Sequence, residues 1–484
     1  MDESGFQMQV RTLESRVTPE AAFTALFSAA TPSFWLDSSL IADGLSRFSF
    51  MGDARGPHAE YVSYRLRDRK VVVSGRDGVA EESIAFLDYL ERELARRALV
   101  SDELPFDFQL GYVGYLGYEM KADCGARAAN TAATPDAAFV FCDRMLVFDH
   151  LGGLIYLLAL SREETEPAAL EWLDATGQAL QALALVPDNI GPAAMAIERP
   201  SIHYRHELAE YEHLVRRCQA EIAAGESYEV CLTNMLSIDE EIDPFSAYRA
   251  LRSSCPAPYS SYLQFPELSV LSSSPERFLR IDSAGKAESR PIKGTRRRGS
   301  TAREDRALAD DLASSEKDRA ENMMIVDLMR NDLSRVCEIG SVRVSELFEI
   351  ESYATVHQMV STIRGALSPD ESSVTCVRAA FPPGSMTGAP KLRTMEIIDR
   401  FEQGARGVYS GVLGYFSLGG AADLCVVIRA IVATAAATTI GVGGAVTALS
   451  DPAEEVEETL VKARGLLDAL GHALSTEERL EQAS

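Results

Sequence analysis

Hairpin-like pairs of short apolar runs alternate with amphipathic helices along this chain, and that alternation constrains the fold more than any single residue does. Tyr61–Leu66 and Lys70–Ser74 flank the turn-forming Arg67-Asp68-Arg69 and predict one hairpin. Arg47–Gly52 reads as a strand, Phe108–Leu116 is aromatic and glycine-rich, and Phe139–Phe148 with Leu154–Leu160 predict a second strand pair. Asp123–Ala137 is small and polar and reads as a loop. Helical spacing covers Thr18–Ala30, Glu81–Ala98, Glu164–Leu185, Tyr204–Ala224, a long helix starting near Thr301, part of Met386–Phe401, and Pro452–Leu470. Strands joined by tight turns pair antiparallel, so the pattern predicts an α+β fold and not a doubly wound parallel sheet. Pro187–Pro200 holds three prolines and Gly191 and reads as the best linker. It places a boundary near residue 195, between an N-terminal region over 1–195 and a C-terminal domain over 196–484.

Charge narrows the partners. A formal net charge of −25 over 484 residues argues against a nucleic-acid or anionic-membrane binder. An acidic protein that takes an anion needs a local positive island or a metal ion. The most apolar run, Leu424–Leu449, contains Arg429 and several glycines and is rich in Val, Ile and Thr, which favours buried strands over a membrane span. The eight cysteines include no C-x-x-C pair, and the acidic Met1-Asp2-Glu3-Ser4 start has no apolar core region. The expectation is a soluble, cytoplasmic protein with no membrane contact.

Six segments carry residues suited to chemistry. Arg290-Pro291-Ile292-Lys293-Gly294-Thr295-Arg296-Arg297-Arg298-Gly299 holds one lysine on a turn stiffened by proline and freed by glycine. Nearby positive charge would ease its deprotonation, and only the neutral amine is a nucleophile. A solvated basic turn fits these residues equally well. Asp318 and Glu321 lie three apart on one predicted helix, and Glu455 and Glu458 three apart on another. The two pairs would supply hard oxygen ligands for Mg²⁺, or they are solvated acidic faces. Glu276 follows the apolar run Leu268–Ser272, where burial would raise its pKa towards that of a proton donor, unless it simply pairs with a cation such as Arg277. Phe381–Lys391 is a glycine-rich turn opening a helix, and Gly441–Ala445 would let backbone approach a ligand. Both also read as ordinary turns. His357, in apolar company, reads as structural.

Together these segments resemble the chorismate-utilising enzyme family. The likeness runs from about Tyr211 to Leu467 through Pro291–Gly299, Lys317–Asp332, Phe381–Lys391, Gly411–Tyr415, Gly441–Ala445 and Glu457–Lys462. It implies large β-sheets forming a sandwich core flanked by helices, with N- and C-terminal parts interwoven. The N-terminal half is similar mainly through Leu36-Asp37-Ser38 and the Arg47-Phe48-Ser49 strand. In the family, those elements resemble a wall of the pocket that binds tryptophan in some members. Anthranilate-forming members typically carry alanine where this chain has Lys293, and Pro291–Thr295 resembles the branch that forms 4-amino-4-deoxychorismate. Glu229 stands where isochorismate-forming members have a lysine base and many aminating members have glutamine. That departure leaves open whether Glu229 positions substrate or helps to deprotonate incoming ammonium.

The resemblance implies amination of chorismate at ring carbon 4 on the way to 4-aminobenzoate and folate. Lys293 would add covalently to carbon 2 while Glu276 protonates the departing hydroxyl. Mg²⁺ would be held by Glu321 and Glu458, with Asp318 and Glu455 acting through waters. Arg429 and Lys462, with backbone at Gly294, Thr295, Gly443 and Gly444, would hold the enolpyruvyl carboxylate. Thr387 in the glycine-rich turn would contact substrate, and Tyr415 and His357 would line the pocket. No amidotransferase domain is visible, so ammonia would come from a separate glutamine amidotransferase subunit or from free ammonium. The nearest other readings are an anthranilate synthase component I, an aminodeoxyisochorismate synthase, and a non-catalytic relative that binds tryptophan or a partner.

Overall fold

The computed structural model describes residues 5–14, 16–41, 45–99, 104–183, 202–353 and 356–471. Two twelve-stranded sheets dominate it. The first runs in the order Gln7–Glu14, Leu154–Ser161, Arg144–Asp149, Phe48–Asp53, Ser33–Asp37, Tyr259–Gln264, Ser269–Ser274, Ala430–Ala433, Thr438–Val446, Glu229–Ile238, Ile202–Tyr204, with Gly388–Ala389 beside Glu229–Ile238. The second runs Ile292–Arg297, Val356–Ala366, Lys286–Ser289, Arg277–Ile281, Ala422–Val426, Val412–Ser417, Gly111–Leu116, Ala137–Cys142, Glu60–Arg65, Lys70–Gly75, Gly78–Glu82, with Arg343–Ser352 also paired to Val356–Ala366. Every pairing is antiparallel. The α+β expectation therefore holds, and the Arg67-Asp68-Arg69 turn closes its hairpin, with the Asp68 and Arg69 amides donating to Arg65 O.

Period-two alternation assigns each face of the first sheet. Phe34, Leu263 and Val270 join the largest apolar cluster, which also takes Val113, Phe139 and Leu424 from the second sheet. The neighbouring Trp35, Tyr262 and Leu271 point the other way, into a second cluster. Helices Pro19–Leu26, Glu166–Leu183, Pro244–Ser254 and Pro452–Ala469 cover that face through Phe23, Leu173, Tyr248 and Leu467.

The expected boundary at residue 195 lies outside the described residues. Both sheets nevertheless cross it in sequence. Ser33–Asp37 pairs with Tyr259–Gln264 in one sheet, and Gly111–Leu116 pairs with Val412–Ser417 in the other. The expected long helix near Thr301 is two helices, Ala302–Ser314 and Glu316–Leu333. Ser315 breaks the first and caps the second, its hydroxyl accepting from the Asp318 amide at 3.3 Å. A serine that bonds to the following backbone competes with helix continuation, which apolar spacing alone does not register. Among the described residues, no helix is long and apolar enough to cross a membrane. All eight cysteines are free.

Candidate active site

Lys293 lies on Ile292–Arg297, whose pairing with Val356–Ala366 shifts register between Lys293 and Thr295. The intervening Gly294 has φ +77°, and a Cβ there would stand 2.7 Å from Leu312 and 2.8 Å from Asp318. Only glycine makes this bulge, and the bulge turns Lys293 into a cavity of about 640 Å³. Lys293 Nζ donates to Glu229 Oε1 at 2.8 Å. Glu229 is fully buried, and its strand begins there. Glu276, Gly294, Thr295, Arg429, Gly443, Gly444 and Lys462 line the same cavity, as do Asp318, Glu321, Glu455 and Glu458.

The electrostatics reverse one expectation. Burial alone would lower the Lys293 pKa, but the Glu229 and Glu321 carboxylates outweigh it and hold the pKa above its ordinary value. The three arginines do not depress it, because acids engage them. Arg296 pairs with Asp311 at 2.7 Å and Asp318 at 3.1 Å, Arg297 with Glu304 at 2.5 Å, and Arg298 with Asp305 at 2.7 Å. Glu276 behaves as its position predicts. Burial pushes its pKa up to about 7, against the opposing pull of Ser385 and Lys293.

The carboxylate pairs sit on capped helices. Asp318 and Glu321 lie in the first turns of Glu316–Leu333, and Glu455 and Glu458 in those of Pro452–Ala469, which Asp451 caps. Glu321 Oε1 and Glu455 Oε2 are buried and have no hydrogen-bond partner. Burial pushes Glu321 up to about 7 and also raises Glu455. Burial would raise Glu458 as well, but Lys462 at 2.6 Å reverses it and the net shift is downward. Lys317 lies 3.6 Å from Glu455. Gly444 lets this helix close in, since a Cβ there would meet Glu455 Oε2 at 2.6 Å. Among the described residues, no group of three or more His, Cys, Asp or Glu side chains forms a ready metal cage. Mg²⁺ does not require one, because it is held through one or two carboxylates plus waters and substrate oxygens. Orphaned oxygens from two helices fit that chemistry.

Residues 52–468 match the family of chorismate binding enzymes. The chain belongs to that family. It is 56% identical over 478 residues to an aminodeoxychorismate synthase of Streptomyces pristinaespiralis, covering 97% of this chain and 66% of the relative. It is 51% identical to an aminodeoxychorismate synthase of Streptomyces griseus, covering 97% of this chain and 65% of the relative. The chain thus spans just under two thirds of the length of these two relatives. Its fold is similar to the crystal structure of anthranilate synthase component I from Streptococcus pneumoniae TIGR4, at TM-score 0.74 and 27% identity, covering 93% of this chain and 97% of that one.

Three residues expected at the substrate pocket of this chorismate binding enzyme, His357, Thr387 and Tyr415, lie outside the cavity or on a second one. His357 is buried on the far face of its strand, with Nδ1 2.7 Å from Ser352 Oγ and Nε2 3.0 Å from Asp305 Oδ1. Successive residues of a strand face opposite sides, so its neighbour Gln358 lines the cavity instead. The Thr387 hydroxyl is turned back onto Gly384 O at 3.2 Å, leaving Ser385 and Met386 on the cavity wall. Tyr415 stacks on Phe108 at 4.3 Å and lines a separate cavity of about 520 Å³, together with Asp37 and Ser38. There Asp37 Oδ2 accepts from Arg252 at 2.6 Å and Tyr248 at 3.2 Å, and Ser38 donates to Phe48 O at 2.7 Å. Gln358, Ser385, Cys231, Lys317 and Tyr409 are cavity residues that sequence reasoning missed. Lys317 and Ser385 carried a signal, since both fall within segments already singled out, and Cys231 and Gln358 lie beside the singled-out Glu229 and His357.

Proposed function

We propose that this chain aminates chorismate at ring carbon 4, converting chorismate and ammonia into 4-amino-4-deoxychorismate and water. The observation that carries the reading is the convergence of Lys293 and Glu276 on one cavity, with the acid titrating near pH 7. The similarity to two enzymes named aminodeoxychorismate synthase supports the same reaction.

In this reading the Lys293 amine bonds to ring carbon 2, both conjugated ring double bonds shift, and the carbon 4 hydroxyl leaves with the Glu276 proton as water. Ammonia then bonds to carbon 4, both double bonds shift back, and the carbon 2 to Nζ bond breaks. One difficult substitution becomes two allylic ones. Chorismate carries two carboxylates. The exposed Arg429, whose guanidinium forms no ion pair among the described residues, and Lys462, with backbone at Gly294, Thr295, Gly443 and Gly444, suit the enolpyruvyl carboxylate. Glu321, Glu458, Asp318 and Glu455 would hold Mg²⁺, which when bound neutralises and orients the ring carboxylate. A glutamine amidotransferase partner would supply ammonia, and free thiols fit a reducing cytoplasm.

The shared fold with an anthranilate synthase component I supports one other reading, amination at carbon 2. Incubation with chorismate, Mg²⁺ and ammonium separates the two. A 4-aminated product is expected by mass and NMR, and fluorescent anthranilate would overturn the proposal. Without ammonia, intact mass should show chorismate minus water added to Lys293. Lys293→Ala should lose the adduct and at least about 100-fold of the 4-amination rate.

A further inference from the structure

Lys293 cannot add to carbon while it is an ammonium, because its lone pair is occupied by the proton. The cavity nevertheless holds it in the charged form, so a base must take that proton inside the site. Four carboxylates act on Lys293. Glu276 has to be protonated to release the hydroxyl, and Glu321 and Glu458 belong to the acidic face shared with Asp318 and Glu455. Glu229 is left. Its Oε1 lies 2.8 Å from Lys293 Nζ, already at hydrogen-bonding distance along the line of proton transfer. Its Oε2 is buried and makes no hydrogen bond. Both partners sit on paired backbone, Glu229 opposite Ala389 and Lys293 opposite Met359, so their approach is built into the sheets.

We infer that Glu229 is a catalytic base that receives the Lys293 proton when substrate fills the cavity and returns it when the lysine departs. The inference rests on the carbon 4 amination proposed above. Filling the cavity removes water, and a dry site penalises an ion pair more than the neutral amine and acid formed by moving one proton. The protons then balance. Glu229 becomes the neutral acid, Lys293 adds to carbon 2, and Glu276 loses its proton to the leaving hydroxyl. In the second half ammonia bonds to carbon 4 and gives its extra proton to Glu276. The released Lys293 amine recovers its proton from Glu229, and both acids are back in their starting forms.

The test follows adduct formation on Lys293 by rapid-quench intact mass, without ammonia. In Glu229→Gln the rate at pH 7 should fall about 100-fold or more. Below pH 7, where Glu276 keeps its proton, it should rise about tenfold per pH unit as solvent takes over the deprotonation, while the unsubstituted protein stays level over that range. In Glu229→Gly, formate should restore adduct formation and chloride at equal ionic strength should not. An unchanged rate and pH profile in Glu229→Gln, or no formate rescue in a Glu229→Gly protein of unaltered circular dichroism, would overturn the inference. If the unsubstituted protein forms no Lys293 adduct, the parent reading fails instead, so the two failures are distinguishable.

Discussion

At the scale of single residues, the cavity separates acid from base by environment. Glu276 has no cation in hydrogen-bond contact, and burial dominates, so its carboxyl keeps its proton up to about pH 7. Lys293 is also largely buried, but the Glu229 carboxylate reverses the effect of burial. Because Glu276 acts protonated in the proposed reaction and its pKa is raised from the ordinary value, kcat/KM for chorismate should hold below pH 7 and fall as pH rises through it. A pH–rate profile checks this. Glu276→Gln, which cannot donate the proton, should lower the rate by about 100-fold or more and abolish that fall. The character of Glu276 was legible in the sequence because an acid at the end of an apolar strand is expected to be buried. The charge on Lys293 was not, because Glu229 lies 64 positions away in the chain.

At the scale of elements, the carboxylate helices depend on how closely backbone can approach them. Gly444, on the strand Thr438–Val446, has no side chain to hold Pro452–Ala469 away. In Gly444→Ala the new Cβ would fall 2.6 Å from Glu455 Oε2 and force that carboxylate to move. The Mg²⁺ concentration for half-maximal activity should rise at least about tenfold, measured by metal titration. Helix faces were legible here, since a spacing of three puts Asp318 with Glu321 and Glu455 with Glu458 on common faces. The strand pleat was harder to phase. His357 and Gln358 are adjacent, and nothing local states which of them faces the cavity, because that follows from the pairing of their strand with Ile292–Arg297 and Arg343–Ser352.

At the scale of the whole molecule, the residues lining the candidate cavity all lie in the C-terminal part of the chain, between Cys231 and Lys462, yet its sheets are completed by N-terminal strands. Tyr259–Gln264 hydrogen-bonds along Ser33–Asp37, and Val412–Ser417 along Gly111–Leu116. Removing the N-terminal part would expose two long strand edges and the apolar face around Phe34 and Val113. Residues 202–484 expressed alone should aggregate or lack cooperative unfolding by circular dichroism, and co-expression with residues 1–183 should restore solubility. A soluble, cooperatively unfolding fragment would show that the two parts fold independently.

By itself the sequence determined the α+β class, most helices, the acid pairs, and the segments that meet in the cavity, because each is written in local spacing or in one continuous motif. Only the tertiary structure decided which residues of those segments face inward, that Asp37, Ser38 and Tyr415 share a different cavity, and that Glu229 meets Lys293. Strand register and the approach of distant charges set these outcomes, and both arise from pairings between segments far apart in the chain.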